Sequence, residues 1–182
     1  MSNEVIIKEE DLVGIEAPGG LAWMGGFSDG EGSISLGSYG KQQRFHSYLT
    51  IFIANTLIES LLVFYKLYGG TVYSRTRARE RPSGPTRPNR PTYTWHCPME
   101  NAERFLRDIS PYLLLKRRKA ELALKWLELQ SRRKKWSRWT KDERQEELEI
   151  VSEFDKLRTR VLVRSNENRS RPRPDTTLVK TL

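Results

Sequence analysis

The chain has one cysteine, Cys97, and only two histidines among its 182 residues. A single cysteine cannot form a disulfide within the chain, and so few thiols and imidazoles exclude the cysteine–histidine clusters that hold structural zinc. No apolar run approaches the roughly 18 residues that a membrane-spanning helix needs. The acidic start, MSNEVIIKEEDLVG, lacks the basic-then-apolar order of a secretory signal. We therefore expect an intracellular protein in a reducing compartment, which could be the cytoplasm, a nucleoid or an organelle.

Positive charge is what the chain has in excess. Lysine and arginine number 32 against 23 acidic residues, which gives a formal net charge of +9 and a pI of about 9.8. Such an excess favours a polyanionic partner, nucleic acid before a membrane surface. Six arginines fall between residues 71 and 91, where Glu80 is the only acid. Because the basic density is local, it indicates a binding surface more than a solvated one.

The hydrophobic periodicity predicts helix, hairpin, helix, hairpin, helix, and then further helices. Alternating segments predict strands at residues 33–39, 44–54, 71–77 and 92–97. Helices are predicted at residues 21–28, 57–68, 98–109, 111–130 and 140–163, two of them behind the capping boxes Thr56–Glu59 and Thr140–Glu143. This order predicts an α+β fold with an αββαββα core and a four-stranded antiparallel sheet. Helices cover the apolar face of that sheet, its other face is open, and helices follow at the C-terminal side.

The sequence pattern also divides the chain into four parts. Residues 1–20 are predicted to be an N-terminal leader that ends in the breaker APGG, and residues 21–131 form the α+β core. Residues 132–163 are predicted to form a C-terminal helical extension. The polar, proline-containing residues 164–182 are predicted to be a mobile basic tail.

The outward positions of the predicted strands carry hydrogen-bonding, aromatic and basic side chains. A β-ribbon fits the major groove of DNA, where arginine binds guanine through two hydrogen bonds, and neutralisation of phosphates supplies much of the affinity. The alternative is a solvated sheet face whose charges oppose edge aggregation. We predict that the following residues contact double-stranded DNA: Ser33, Ser35, Arg44, His46, Tyr48, Thr50, Thr71, Tyr73, Arg75, Arg77, Arg79, Thr92, Thr94 and His96.

The segment LAWMGGFSDGEGSI, residues 21–34, has two features that a helix tolerates poorly. Gly25 and Gly26 cost about 1 kcal/mol each relative to alanine inside a helix, and close approach of another backbone, such as a second copy of this helix, would offset that cost. Asp29 and Glu31 place carboxylates at the helix end, where the dipole disfavours them. A divalent cation would explain them, because Mg²⁺ takes carboxylates together with waters and phosphate oxygens. Alternatively, the two glycines simply end a short helix.

Residues 24–32, MGGFSDGEG, resemble the nine-residue motif that names the LAGLIDADG homing endonucleases, most closely from Asp29 onward. Two further segments resemble the same family. IFIANTLIESLLVFYKLYGGTVYSR resembles its pattern of strand, polar residue, helix, Gly-Gly and strand, and YTWHCPMENAERFLRDISPYLLLKRRKAEL resembles its aromatic strand and following helices. The resemblance covers residues 21 to about 129 and contains a single motif, as in the homodimeric members.

The resemblance implies roles for individual residues. Glu31, at the eighth motif position, would be the metal-binding carboxylate, and Gly30 would lend its backbone carbonyl. Asp29 would support the helix end and the interface. Asn55 would help to hold water near the metal ions, and Lys116 would polarise the scissile phosphate or an attacking water.

The chain departs from the family pattern at one place. The resemblance also implies a specific activity. The basic residue often found early in the second helix is replaced here by Glu59 and Ser60. The implied activity is Mg²⁺- or Mn²⁺-dependent cleavage of a long pseudo-palindromic DNA target in intron homing. A homodimer, joined along the helices that carry Gly25 and Gly26, would present two saddle-shaped sheets to the major groove. The alternatives are an intron RNA maturase of the same fold, a non-catalytic DNA-binding regulator, and a structural RNA-binding protein.

Overall fold

The computed structural model describes residues 3–39, 46–75, 91–132 and 139–169, with side chains up to residue 157. The predicted DNA-contacting residues Arg44, Arg77 and Arg79 lie outside these ranges. Residues 133–138, which are mostly basic, lie outside them as well, and so does the part of the predicted tail beyond residue 169.

Within the described ranges the chain forms five strands and five α-helices. They follow in the order β1 (Asn3–Glu4), α1 (Gly20–Glu31), β2 (Gly32–Tyr39), β3 (His46–Asn55), α2 (Ile58–Tyr68), β4 (Thr71–Arg75), β5 (Thr92–His96), α3 (Met99–Ile109), α4 (Arg117–Arg132) and α5 (Lys141–Arg169). Short 3-10 turns lie at Glu9–Leu12 and Ser110–Tyr112. The predicted α+β class and the order αββαββα are confirmed between α1 and α3. None of the helices in the described ranges is long and apolar enough to cross a membrane.

The sheet has five strands, in the order β1-β4-β5-β3-β2, and every neighbouring pair is antiparallel. The expectation of four strands is therefore corrected. The extra strand comes from the segment that the sequence indicated as a leader. It pairs with β4, with Asn3 opposite Ser74 and Glu4 opposite Tyr73, and the backbone N–H of Val5 donates to the Val72 carbonyl over 2.8 Å.

One face of the sheet is covered by helices and forms the core. The inward strand residues are buried as the alternation predicted: Ile34, Leu36, Leu49, Ile51, Ile53, Val72 and Trp95. They pack with α1, α2, α3 and α4 in one continuous cluster, and each fully buried large apolar side chain contributes about 1.5–3 kcal/mol. Trp95 also satisfies its indole N–H, which donates to the Gly69 carbonyl over 2.8 Å. The opposite face, called the open face below, has no helix on it in the described ranges.

Several predicted helix ends differ from those observed. α1 extends to Glu31, three residues beyond the prediction, so that the acids Asp29 and Glu31 lie inside its last turn. The helix predicted from Pro111 is interrupted, because a 3-10 turn and an extended segment precede the start of α4 at Arg117. This break matters for the site, since it exposes backbone N–H groups just before α4.

The two predicted capping boxes have different outcomes. Thr140 and Glu143 form theirs: the N–H of Thr140 donates to the Glu143 carboxylate over 2.8 Å, and the N–H of Glu143 donates to the Thr140 hydroxyl over 3.2 Å. The prediction of a capping box at Thr56 is wrong. α2 begins at Ile58, and Asn55 instead accepts from the N–H of Leu57 over 2.9 Å.

α5 is fastened to the helix side of the sheet by a buried acid, Glu147, which is 2% exposed. One carboxylate oxygen accepts from the Ser47 hydroxyl, and the other accepts from Arg144 over 2.6 Å. The Trp126 indole in turn donates to the Ser47 hydroxyl over 2.7 Å. The helix continues to Arg169 rather than ending near residue 163.

Candidate functional site at the end of α1

The C-terminal end of α1 turns directly into β2, and Gly32 makes the turn possible. Its N–H donates to the Ser28 carbonyl. A Cβ atom at residue 32 would lie 2.6 Å from that same oxygen, so only glycine fits without a backbone shift. The turn places Glu31 immediately before the first residue of the sheet.

Asp29 binds the segment that precedes α4. Its carboxylate accepts from three successive backbone N–H groups, those of Leu114 over 2.5 Å, Leu115 over 3.0 Å and Lys116 over 2.9 Å. Burial alone would raise the pKa of Asp29, but these three donors and the nearby Lys116 ammonium outweigh it. The pKa therefore lies below the ordinary 3.8. Asp29 is thus a fully engaged, ionised structural carboxylate.

Lys116 places its ammonium at the negative end of the α1 dipole. Its Nζ donates to the Ser28 carbonyl over 3.1 Å and also to the Asp29 carbonyl. Burial lowers the pKa of Lys116, Asp29 and Glu31 oppose that shift, and Lys119 adds to it, with a net lowering. Because the Ser28 and Asp29 carbonyls that Lys116 contacts belong to the last turn of α1, which also contains Glu31, the ammonium lies at the helix end that carries Glu31.

Glu31 and Gly30 differ from Asp29 because both are exposed. They occupy the last turn of α1, where carbonyls lack partners within the helix. A carboxylate and a backbone carbonyl are the oxygen donors that Mg²⁺ prefers, so the chemistry of these residues fits a hard cation. Their number does not complete a shell: within the described ranges no group of three or more His, Cys, Asp and Glu residues could hold a metal ion. Further oxygens must come from water, a phosphate or a second chain.

Asn55 ends β3 and has a structural contact. Its side-chain oxygen accepts from the N–H of Leu57, which turns the chain into α2. The role in holding water near a metal, implied by the resemblance, remains a prediction.

The two glycines of α1 face different surroundings. A Cβ at Gly25 would lie 2.5 Å from the Cβ of Tyr112 and 3.3 Å from the Ile109 carbonyl. The close approach at Gly25 is therefore to the same chain, and Gly25 is not available to a second copy. Gly26 is exposed, and a Cβ atom at residue 26 would meet no described atom within 4 Å apart from its chain neighbours and the backbone of its own helix.

Most exposed positions of α1 before Glu31 are small or apolar, and two exposed leucines stand on the segment that Asp29 binds. Ala22, Gly26 and Gly30 succeed one another at four-residue spacing along α1. Leu114 and Leu115, each 83% exposed, come from the segment held by Asp29. The sequence did not single out these two leucines, because they were predicted to lie inside a helix. The term α1 surface denotes the following set of residues: Leu21, Ala22, Gly26, Gly30, Leu114 and Leu115.

The open face collects the sequence-predicted contact residues that the structure describes. The strand register aligns them in rows across the sheet, with Ser35 opposite Thr50, Tyr73 opposite Thr94, and Thr71 opposite His96. Eleven of the predicted contact residues share this face: Ser33, Ser35, His46, Tyr48, Thr50, Thr71, Tyr73, Arg75, Thr92, Thr94 and His96.

Aromatic rings form a row across the middle of the open face. His96 stacks on Phe52, with ring centroids 5.8 Å apart, and meets Tyr73 edge-on at 5.3 Å. Burial lowers the pKa of His96, so the imidazole is neutral near pH 7 and offers one donor and one acceptor. Phe52 was not singled out from the sequence, although it alternates with the inward Ile51 and Ile53.

A second aromatic group lies at the far end of the β2–β3 pair. Tyr39 stacks on His46 at 5.2 Å and approaches Tyr48 at 6.1 Å. The Tyr48 ring covers Gly37, where a Cβ would lie 2.5 Å from the ring carbon Cζ. Glycine at position 37 therefore sets the orientation of Tyr48 on the open face.

Comparison with solved structures gives matches to homing endonucleases. The archaeal intron-encoded homing endonuclease I-Vdi141I, solved in complex with DNA, matches with a TM-score of 0.54 and 14% identity, over 75% of this chain and 82% of that chain. I-CvuI in complex with its target in the presence of calcium matches at 22% identity and a TM-score of 0.44, over 67% of this chain and 70% of that chain. A second I-CvuI complex, in the presence of magnesium and with its DNA not cleaved, matches at 18% identity and a TM-score of 0.47, over 82% of this chain and 83% of that chain. No protein-family model and no curated protein matches the chain. At these identities the likeness to I-Vdi141I shows a shared fold.

Proposed function

We propose that this protein is a site-specific DNA endonuclease that acts as a homodimer on a long pseudo-palindromic duplex target with Mg²⁺ or Mn²⁺, in the manner of a single-motif LAGLIDADG homing endonuclease. The observation that carries the proposal is the corner at the end of α1. There the exposed Glu31 ends α1 directly before β2, and the Lys116 ammonium donates to the Ser28 and Asp29 carbonyls of the same helix end.

The open face supports duplex DNA as the partner. Its polar, aromatic and basic side chains stand in register on an antiparallel sheet, and such strands enter the major groove. The chain's net charge of +9 supplies phosphate neutralisation. In I-Vdi141I, which shares the fold, the structure is that of a complex with DNA.

The α1 surface supports a second copy of the chain as the protein partner. Gly26 leaves room for a backbone to approach, and Leu114 and Leu115 would bury a large apolar area in the same contact. A twofold contact along this surface would set two Glu31 carboxylates side by side, which supplies the oxygen donors that one chain lacks. The homodimer is therefore part of the same proposal as the metal site.

The residues of the corner divide the work of hydrolysis. Glu31 and the Gly30 carbonyl would hold the cation, whose chemistry, when bound, is to activate water and stabilise the leaving oxygen. Lys116, held by the Ser28 and Asp29 carbonyls, would hold its ammonium toward a phosphate or an attacking water. Asp29 positions Lys116 by fixing the backbone on which it stands. Asn55 would orient water at the end of β3.

The test is cleavage of a randomised duplex library by the full chain with Mg²⁺, comparing wild type with Glu31→Gln. Wild type should enrich one family of cut sites, and Glu31→Gln should cut the selected site at least about 10³-fold more slowly, because it loses the ligand charge. Glu9→Gln, which makes the same charge change in the exposed 3-10 turn, is the matched control. Equal cutting by wild type and Glu31→Gln, or no enriched site, would refute the proposal.

Binding to structured RNA is the second candidate, and the row of rings on the open face favours it. Phe52, His96 and Tyr73 form a platform of the kind on which unpaired bases stack. An intron maturase of this fold, or a structural RNA-binding protein, would use that platform and would not need Glu31. Competition of a folded intron RNA against duplex DNA decides between them: a preference for RNA that Glu31→Gln leaves intact would favour this candidate.

A further inference from the structure

The N-terminal strand β1 widens the open face by one strand. The segment Asn3–Ile7 alternates: Val5 and Ile7 pack against the core, and Ile6 is 85% exposed. The Ser74 hydroxyl donates to the Asn3 carbonyl over 3.4 Å, and the N–H of Val5 donates to the Val72 carbonyl. Both contacts hold β1 against β4, so the segment belongs to the sheet.

The strand register places Glu4 on the open face. Glu4 lies opposite Tyr73, Tyr73 lies opposite Thr94, and Thr94 lies opposite Ala54. Directly opposed residues of antiparallel strands point to the same side of a sheet. Tyr73 points away from the core, because its neighbour Val72 is fully buried. Glu4 therefore ends a row that runs across the face on which the predicted DNA contacts stand.

An acid at this position is unexpected on a surface that binds phosphates. Among the described outward positions of the five strands, Glu4 is the one acid. A carboxylate weakens general binding to a polyanion, and an ionised carboxylate only accepts hydrogen bonds. The major-groove edge of cytosine presents an amino donor, whereas adenine sets an N7 acceptor beside its amino group and guanine presents acceptors. A carboxylate thus fits cytosine best, because each of the other bases presents an acceptor at this edge.

We propose that Glu4 is a specificity-determining residue, which accepts a hydrogen bond from the amino group of one cytosine in each half of the DNA target. This inference rests on the proposed function, since it needs the open face to lie in the major groove. The N-terminal segment then reads part of the target, and the target is longer than the four strands of the core alone would cover.

A different role for Glu4 is protection of the sheet edge. β1 is an edge strand, and charged residues at such edges prevent pairing with other chains. That role predicts that neutralising Glu4 promotes self-association and leaves base preference unchanged. The two roles therefore differ in a measurable way.

The experiment is binding selection from a randomised duplex library with the full-length protein, for wild type, Glu4→Gln and the control Glu9→Gln. Wild type should prefer cytosine at one position of each half-site by about tenfold. Glu4→Gln should lose that preference or change it to adenine, because an amide pairs with the adenine N6 and N7 atoms. Glu9→Gln, in the exposed 3-10 turn Glu9–Leu12, should select the same bases as wild type.

The outcomes separate this inference from the proposed function. If wild type enriches no sequence, both fail. If wild type enriches a target and Glu4→Gln selects the same base at every position, the proposed contact between Glu4 and cytosine is refuted while the proposed function stands. A uniform change in affinity without a changed preference, or self-association alone, also refutes it.

Discussion

The two sides of α1 differ in their surroundings, since one packs against the rest of the chain and the other is exposed. The inner side carries Met24, Gly25 and Asp29, all buried, and its glycine lies against Tyr112 of the same chain. The outer side carries Gly26 and Glu31, both exposed, at nearly the same heights along the helix. Gly25 and Gly26 thus lie on different sides although they are adjacent in sequence, and so do Asp29 and Glu31, which are two residues apart.

The comparison teaches that the partners of an acid, more than its type, decide its role. Asp29 accepts three backbone hydrogen bonds and is held ionised by them. Its hydrogen-bonding capacity is used by the fold. Glu31 is exposed, and its oxygens are accessible to the cation of the proposed function. Two acids that flank one glycine in the sequence therefore have different surroundings in the fold, and the three N–H donors identify Asp29 as the structural one.

Replacing each acid by its amide should give the largest difference in the free energy of unfolding between the two sides of α1. Asp29→Asn should lower the free energy of unfolding by about 3 kcal/mol, because an amide cannot accept from three N–H donors and turns its own donor toward them. Glu31→Gln should change it by less than about 0.5 kcal/mol, as expected for an exposed side chain. Chemical denaturation of both variants at pH 7 measures this.

The control for the acid exchange is the second buried acid, Glu147, on α5. Glu147→Gln should also destabilise the protein, since Glu147 accepts from both Ser47 and Arg144. It lies on a different helix, however, and should leave the conformation of residues 114–116 unchanged. Equal stability of Asp29→Asn and Glu31→Gln would remove the distinction between the two sides of α1.

Replacing each of the two glycines by alanine should also distinguish the two sides of α1, with a smaller change in the free energy of unfolding than Asp29→Asn. Gly25→Ala should cost about 1–3 kcal/mol, because its Cβ meets Tyr112 and the neighbouring backbone. Gly26→Ala should stabilise the isolated chain by up to about 1 kcal/mol through helix propensity. If a second copy packs on the α1 surface, the same methyl group should weaken dimer formation.

Unfolding and sedimentation velocity together test the glycine pair. Gly26→Leu is the stronger variant, since a large side chain would block close approach of two helices and should give monomers. If Gly26→Leu sediments as wild type does, the α1 surface is not the dimer interface. If Gly25→Ala is as stable as wild type, the contact with Tyr112 is not as tight as described.

Sequence reasoning could predict the core elements because their signals are local. Alternation identified the inward residues of β2 to β5, and the Thr140 capping box identified the start of α5. The motif identified the corner at Glu31. The resemblance assigned Asp29 to support of the helix end, but the sequence could not identify its three N–H donors, which come from residues 85 to 87 positions away.

Two misses share one physical cause, which is that tertiary pairing overrode weak local signals. β1 has only two paired residues and an acidic context, and the apolar run of Val5, Ile6 and Ile7 beside it is too short to distinguish a strand from other structures. The break before α4 has no local breaker beyond Pro111. Asp29 accepts from the backbone N–H groups of the non-helical residues Leu114 and Leu115, where helical propensity alone would favour a continuous helix.

Acid should affect the two sides of α1 differently, with the smallest effect of all. The folded-state pKa of Asp29 lies below its ordinary value, so its stabilising contribution is complete above the unfolded pKa of about 3.9 and is lost as the pH falls through the folded pKa. The stability of wild type should therefore decline between about pH 4 and lower values more steeply than that of Asp29→Asn, which has no titrating group at position 29. Glu31→Gln should decline as steeply as wild type. Thermal unfolding midpoints measured across this range give the slopes, and parallel curves for all three proteins would show that the three N–H donors do not hold the Asp29 charge in place.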